Sequence, residues 1–528
     1  MHLQRAIIEP IVEAIPAARQ EDARHYGVHP YFTRRPANVV RANLERYSQP
    51  GDTVLDPFGG TGVAAIEAFL IGRHAVQNDL NPFANFVASN IADTTLASTV
   101  PLKNAFQEVE SHCATGLREI EASEEAAGEW LKRLPLPENI RLPSNSDAEF
   151  FYDMFTPRQL AGLALIKEGI ELQPSGAARN MLLLAWSASI AKLNKTFLSA
   201  KGRADSRGGS SIFSIYRYKL ASRWVELPIW ETFAGRFRNV LAAKDEVPRL
   251  RDFRAKGHGG GERLDSARDF HVFAQDAATL DSTIEASSVD YIFTDPPYGA
   301  FISYLDLSIL WNHWLGFTVS ETAKGQETIV GGEAKHTEEH YKRALAQSVS
   351  TAFRLLKPDR WASIVFQHWD ISYFAVILET AAQSGAELKA AITQTGDVIW
   401  SMHKKKNSVS VLAGEMILTF YKPLQPMTPR PRENAGEIGN PAQILGQTLD
   451  RCLENTAATF TTEALFNRLV MDLWARQALN CLNLDRQEFI EQLEQRGWVY
   501  SARSHLWRRL GQPNRARGEL MLFEGDDR

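Results

Sequence analysis

Residues 53–62 read TVLDPFGGTG and lead directly into VAAIEAFLIG. An apolar run from Thr53 to Leu55 enters Asp56. A turn follows with glycine at 59, 60 and 62, and then a segment of helical composition. Glycine lets backbone approach a ligand closely, and the start of the next helix offers unpaired N–H groups. Strand, glycine turn and helix in that order form the ligand-cradling corner of a doubly wound sheet. HAVQNDLNP then supplies a second strand ending in Asp79, an acid placed to accept hydrogen bonds from sugar hydroxyls. Five more apolar runs read as strands: HVFAQ (271–275), VDYIFT (289–294), ASIVFQ (362–367), DVIWSMH (397–403) and EMILTFYK (415–422). The expected fold is α/β, a Rossmann-like sheet of seven strands whose last two form a hairpin through the basic loop KKKNSVSVLAG.

The run VDYIFT ends in Asp295-Pro296-Pro297-Tyr298. An acid, two prolines and an aromatic at a strand tip suit a flat base bearing an exocyclic amine. The acid and a backbone carbonyl accept the two amine hydrogens. The prolines stiffen the turn, and the ring of Tyr298 stacks on the base.

Taken in order, these segments resemble the S-adenosylmethionine-dependent amino-methyltransferases that modify DNA bases. The resemblance covers roughly residues 28–95 and 268–422. It begins with HPYFTRRPANVV (His29 to Val40) and includes YLDLSILWNHWLG after the tetrapeptide. It implies S-adenosylmethionine as cofactor, bound by Tyr31, Thr33, Asp56, Pro57, Phe58, Gly59, Gly60, Thr61, Gly62, Asp79, Leu80, Asp276 and Ala277. Within that set Asp79 is the ribose acid and Asp276 the acid facing the adenine amine of the cofactor. It implies Asp295, Pro296, Pro297 and Tyr298 as the catalytic tetrapeptide acting on a flipped base. Each acid also has a plainer reading, as a loop or helix cap. Aspartate at the first tetrapeptide position favours adenine N6 over cytosine N4, and no cysteine is present there for cytosine C5 chemistry. Two alternatives stay open. The same motifs resemble transfer-RNA guanine-N2 methyltransferases, which usually carry a longer N-terminal RNA-binding domain. A non-catalytic DNA-binding subunit of a defence complex is the other, though the acid and aromatic positions are intact. No PD…ExK or HNH nuclease pattern is found, so any cleavage would belong to other subunits of a restriction or phage-defence system.

Between the second strand and HVFAQ lies a large, mostly helical insertion, and its placement departs from the usual family arrangement. The expected division is 1–100 (first half of the sheet), 101–267 (insertion), 268–424 (second half) and 425–528 (a small helical domain whose ending suits a winged helix). Residues 192–254 hold 14 Lys and Arg against 6 Asp and Glu, with aromatics interleaved, although the whole chain has a net charge of -5. Basic residues neutralise phosphates and aromatics stack on bases, so this stretch is the expected DNA contact. Its candidate residues are Lys195, Lys201, Arg203, Arg207, Arg217 and Lys219, joined by Lys404 and Lys405 of the hairpin loop. The competing reading makes the same aromatics a buried core face. Cys113, Cys452 and Cys481 are scattered, which argues against a zinc site and fits a reducing, cytoplasmic setting. No metal and no membrane segment are expected.

Overall fold

A computed structural model describes residues 8–18, 23–198, 209–257, 266–394, 414–425 and 440–509, apart from 223, 480, 481, 483 and 503. The strands of the main sheet are β1 (Thr53–Asp56), β2 (His74–Asn78), β3 (Phe270–Phe273), β4 (Val289–Thr294), β5 (Leu356–Phe366), β6 (Glu387–Gln394) and β7 (Glu415–Lys422). They lie in the order β3-β2-β1-β4-β5-β7-β6. Strands β1 to β5 pair in parallel, and β7 runs antiparallel between β5 and β6. The expected α/β sheet of seven strands is therefore present. Strand order reverses between β1 and β4, and crevices form outside the carboxyl ends of strands at such a switch point.

Burial explains which runs were readable. VDYIFT is buried at every position of β4, as a central strand covered on both faces must be. The strand expected over 397–403 lies outside the described residues. Among the described residues the sixth strand is Glu387–Gln394, whose sequence ELKAAITQ is mostly half-exposed. It is an edge strand, so little apolar periodicity marks it. Strand β5 also starts earlier than its apolar run, at Leu356.

The helix Val63–Leu70 after the glycine turn is buried all round. It packs on β1 and β2 and also against the long helix Ile229–Gly257 of the insertion. That second partner is why VAAIEAFL carries no polar stripe. Its one acid, Glu67, is paired with Arg41 at 2.6 Å and Arg254 at 3.0 Å. The insertion contributes the helices Val100–Ala122, Glu124–Leu131, Pro157–Glu171 and Ala177–Ile190 as well. Leu163, Trp186 and Phe233 of these helices belong to the same buried cluster as Val54, Ile66 and Phe293 of the sheet layer.

The chain divides into two compact units, 1–368 with 376–433 and 369–375 with 434–528. The second holds the helices Pro441–Glu454, Thr462–Ala475 and Arg486–Gln495, and strands β8 (Thr459–Phe460), β9 (Trp498–Ser501) and β10 (Leu506–Arg509). The strands are antiparallel in the order β8-β10-β9. Asn440, Thr461 and Asp485 cap the three helices through their side chains.

Candidate functional site

Four acids follow the carboxyl ends of adjacent parallel strands: Asp56 closes β1, Asp79 follows β2, Asp276 follows β3 and Asp295 follows β4. All four line one cavity. Tyr31, Thr33, Pro57, Phe58, Gly59, Gly60, Thr61, Leu80, Ala277 and Pro297 line it too. The sequence thus separates, and the fold joins, a glycine corner and a tetrapeptide carboxylate.

Three backbone donors and one hydroxyl hold the two acids of the corner. Asp56 Oδ1 accepts the Phe58 N–H at 3.1 Å and the Thr294 hydroxyl at 2.8 Å, so it does cap its loop. Asp79 accepts N–H bonds from Gly60 and Asn81, each at 2.8 Å. The cap of the following helix is Asn81, not Asp79. Asp276 caps a short helical turn through the Ala278 N–H at 2.9 Å, which is the plainer of its two readings, and it lies on the cavity wall as well. Gly62 sits behind the wall with φ +84°, where an added Cβ would lie 2.7 Å from the Ala88 Cβ. Burial pushes the Asp56 carboxyl up to about 7, with the Thr294 and Phe58 hydrogen bonds opposing it. Burial pushes Asp79 up to about 6, against its two N–H donors.

Of the tetrapeptide, Asp295 and Pro297 line the cavity and Tyr298 does not. Pro296 packs away from it, in a small apolar pocket with Phe58 and Ile292. The Tyr341 hydroxyl donates to the Pro297 carbonyl at 2.7 Å and braces the turn. The ring of Tyr298 lies edge-on to Phe366, 5.3 Å between centroids, and its hydroxyl donates to Asp295 Oδ1.

Several wall residues were not on the sequence-derived set. Arg34 donates to the Thr61 hydroxyl at 2.9 Å and to the carbonyls of Tyr26 and His29, tying the segment before β1 to the glycine turn. Arg35 faces Asp295, with Nε to Oδ2 at 2.5 Å. Glu327 lines the cavity, and its Oε1 accepts the Leu305 N–H at 3.0 Å. Burial, with the charges of Asp306 and Asp79, pushes the Glu327 carboxyl up to about 8. Nothing in the local string GQETIV announces this role. The two arginines were within the segment HPYFTRRPANVV, but their partners are remote in sequence.

The basic stretch is a partial correction. Phe197, Tyr218, Phe233 and Phe237 are buried, so they form core and present no face to a ligand. The Tyr218 hydroxyl accepts from the Leu310 N–H and donates to the Leu307 carbonyl, locking the helix Tyr304–Leu315. Lys244 is buried and donates to the carbonyls of Asn90, Ile91 and Asp93 at the end of the helix Pro82–Ala92. Trp224 and Ile215 are exposed, as are Lys219 and Arg217, the last paired with Asp147 at 3.0 Å. Lys195 is half-buried. Lys201, Arg203, Arg207, Lys404 and Lys405 lie outside the described residues. Among the described residues no His, Cys, Asp and Glu cluster could hold a metal, and no helix is long and apolar enough to cross a membrane.

Comparison with known proteins bears on the corner half of the site. Residues 13–87 match the family model for DNA methylases of the N6/N4 type. The chain is 29% identical over 72 residues to the Type II methyltransferase M.MjaII of Methanocaldococcus jannaschii, which is 13% of this chain and 14% of that protein. The matched segment carries β1, the glycine turn and β2. Together with the seven-stranded sheet, these matches support a DNA amino-methyltransferase of the N6/N4 class.

Proposed function

We propose that the chain transfers a methyl group from S-adenosylmethionine to the exocyclic amine of a base turned out of duplex DNA, with adenine N6 favoured over cytosine N4. The observation that supports this most is that Gly59, Gly60 and Thr61 of the glycine turn line one cavity together with Asp295. The lining fits the cofactor. Asp56, Asp79 and Glu327 offer carboxylates to a ligand bearing a sulfonium and an ammonium. Asp79 stands where a strand-tip acid meets ribose hydroxyls. When bound, S-adenosylmethionine supplies an electrophilic methyl group.

The chain's own residues then do the aligning. Asp295 accepts one amine hydrogen and the Pro296 carbonyl the other, which turns the amine lone pair toward the donor. Tyr298 fixes the plane of the base. An exocyclic amine is a weak nucleophile with a delocalised lone pair, so orientation matters more here than strong acid–base chemistry. A base inside the stack cannot present that lone pair, which is why flipping belongs to the proposal. Lys195, Arg217 and Lys219 are the DNA-contacting candidates among the described residues, with the exposed Trp224 beside them in sequence. The helix, strand, helix, helix, strand, strand order of the second unit supports reading it as a winged helix, a common DNA-binding form. Restriction–modification or phage defence is the setting that the family resemblance favours, with other subunits as partners.

The test is incubation of the protein with methyl-labelled cofactor and either plasmid DNA or total RNA, followed by base analysis. Label in N6-methyladenine of DNA is the expected result. N4-methylcytosine would move the target base, and N2-methylguanine in RNA would replace the proposal.

A further inference from the structure

Asp295 can accept an amine hydrogen only if its carboxylate is aimed. Arg35 stands 260 residues before it, in the irregular segment ahead of the helix Ala37–Tyr47. The Arg35 guanidinium makes a fork: Nε donates to Asp295 Oδ2 at 2.5 Å and Nη2 donates to Tyr298 Oη at 2.6 Å. The Tyr298 hydroxyl donates in turn to Asp295 Oδ1. These contacts close a ring of hydrogen bonds through three side chains. The third guanidinium nitrogen, Nη1, donates to Glu415 Oε2 at the start of β7. All the charged members are shielded from water, with Arg35 15%, Asp295 23% and Glu415 11% exposed.

Each feature of the ring has a physical consequence. A carboxylate oxygen has two lone pairs, and the ring takes one from each oxygen of Asp295, so the amine of a base can be accepted without breaking it. A planar guanidinium fixes the plane of the carboxylate it grips, which an ammonium cannot do. The tyrosine hydroxyl gains a task that stacking does not require. Glu415 gives the guanidinium an anchor on a rigid strand rather than on the segment it comes from.

We propose that Arg35 is a positioning residue for methyl transfer: it orients the Asp295 carboxylate, the Tyr298 hydroxyl closes the ring, and Glu415 anchors the guanidinium. The proposal rests on the methyltransferase reading of the same cavity.

The test uses the full-length protein and its Arg35→Met, Arg35→Lys and Tyr298→Phe variants, with kcat, KM for duplex DNA and cofactor affinity measured for each. Arg35→Met is expected to lower kcat by about 100-fold, the scale of a small misplacement of a reacting group. KM and cofactor affinity are expected to stay within about threefold, since uniform binding is untouched. Dilute guanidinium chloride added to Arg35→Met should restore about tenfold of the missing rate and leave the unsubstituted enzyme unchanged. Arg35→Lys should stay low, because it keeps the charge and loses the fork. Tyr298→Phe, which keeps the ring face, should fall by about tenfold in kcat. An Arg35→Met enzyme with unchanged kcat would overturn the proposal. So would loss of cofactor affinity in step with kcat and no rescue by guanidinium, which is the pattern of a fold-supporting residue. If the unsubstituted protein methylates no nucleic acid, the underlying reading falls on its own. Crystal structures of the protein and of Arg35→Met then decide the ring: an Asp295–Tyr298 hydrogen bond that survives the substitution counts against it, and one that separates counts for it.

Discussion

The two ends of the cavity hold their carboxylates by different means. At the glycine corner, Asp79 is held by the main-chain N–H groups of Gly60 and Asn81, and Asp56 by the Phe58 N–H together with the Thr294 hydroxyl. At the tetrapeptide, Asp295 is held by the side chains of Arg35 and Tyr298. Adjacent arginines serve the two ends, Arg34 reaching Thr61 and Arg35 reaching Asp295. A group fixed by backbone is released only if its turn unfolds, which suits a ligand held the same way in every cycle. A group fixed by side chains is aimed by rotamers, which suits a partner that arrives and leaves. On this view the corner is a binding device and the tetrapeptide an alignment device.

The comparison breaks first at Asp295. Asp295→Ala and Tyr298→Ala should reduce transfer by about 10²–10³-fold or more, the cost of removing one pre-aimed hydrogen-bonding group. Cofactor affinity, measured by calorimetry, should change by no more than a few-fold. An active Asp295→Ala enzyme would show that the tetrapeptide does no aligning. The corner should answer in the opposite way. Gly62→Ala places a side chain at φ +84° and 2.7 Å from the Ala88 Cβ. Strain at such a position costs on the order of 1–3 kcal/mol, so cofactor affinity or melting temperature should fall while any residual transfer keeps its base preference. Equal affinity and stability in Gly62→Ala would mean that the turn is softer than its packing implies. A third comparison sets the insertion against both ends. Replacing Arg217 and Lys219 together should weaken DNA binding and lower its salt dependence, by roughly one unit of slope for each phosphate that the two side chains neutralise. Cofactor binding should be indifferent to that pair.

The same contrast governs what could be read in advance. The corner was legible because backbone-built sites need particular residues at fixed spacing: Gly62 for its left-handed φ, an acid at each strand tip, an apolar helix after the turn. The tetrapeptide was legible because Pro296 and Pro297 are an unusual pair at a strand end. Arg35, Glu415 and Glu327 were not, because their roles depend on neighbours that only the fold brings close. The sheet shows a similar division. Buried β4 is announced by VDYIFT, whereas β6 at the edge is half-exposed and its ELKAAITQ has no periodicity to find. The basic stretch misled in part, since a charge count does not distinguish a lysine on the surface from Lys244, whose ammonium caps a helix end. Phe233 and Phe237 share helical spacing with core residues, and that spacing was the better guide to their burial.

The smallest expected effect is on the proton balance of the corner, which the charge of Asp295 reaches only at Asp56 and there behind burial. The carboxyls of Asp56, Asp79 and Glu327 are pushed up to about 7, about 6 and about 8, in each case chiefly by burial. A raised carboxyl pKa favours the protonated folded form. Its contribution to stability is therefore full below the ordinary carboxylate range and is lost as pH rises through 6 to 8. The ligand-free protein should accordingly lose stability from these groups over that window. A cationic ligand reverses the preference, because it favours the ionised carboxylates and must displace their protons. Affinity for S-adenosylmethionine should rise severalfold between about pH 5.5 and pH 8, bounded at about tenfold per pH unit for each proton displaced. S-adenosylhomocysteine, which lacks the sulfonium charge, should rise less over the same range. Calorimetry in buffers of different ionisation enthalpy counts the protons released, and melting curves with and without ligand report the same linkage. Identical pH dependence for the two ligands would show that the acids do not sense the sulfonium, and any dependence that remains would belong to the ammonium that both ligands carry.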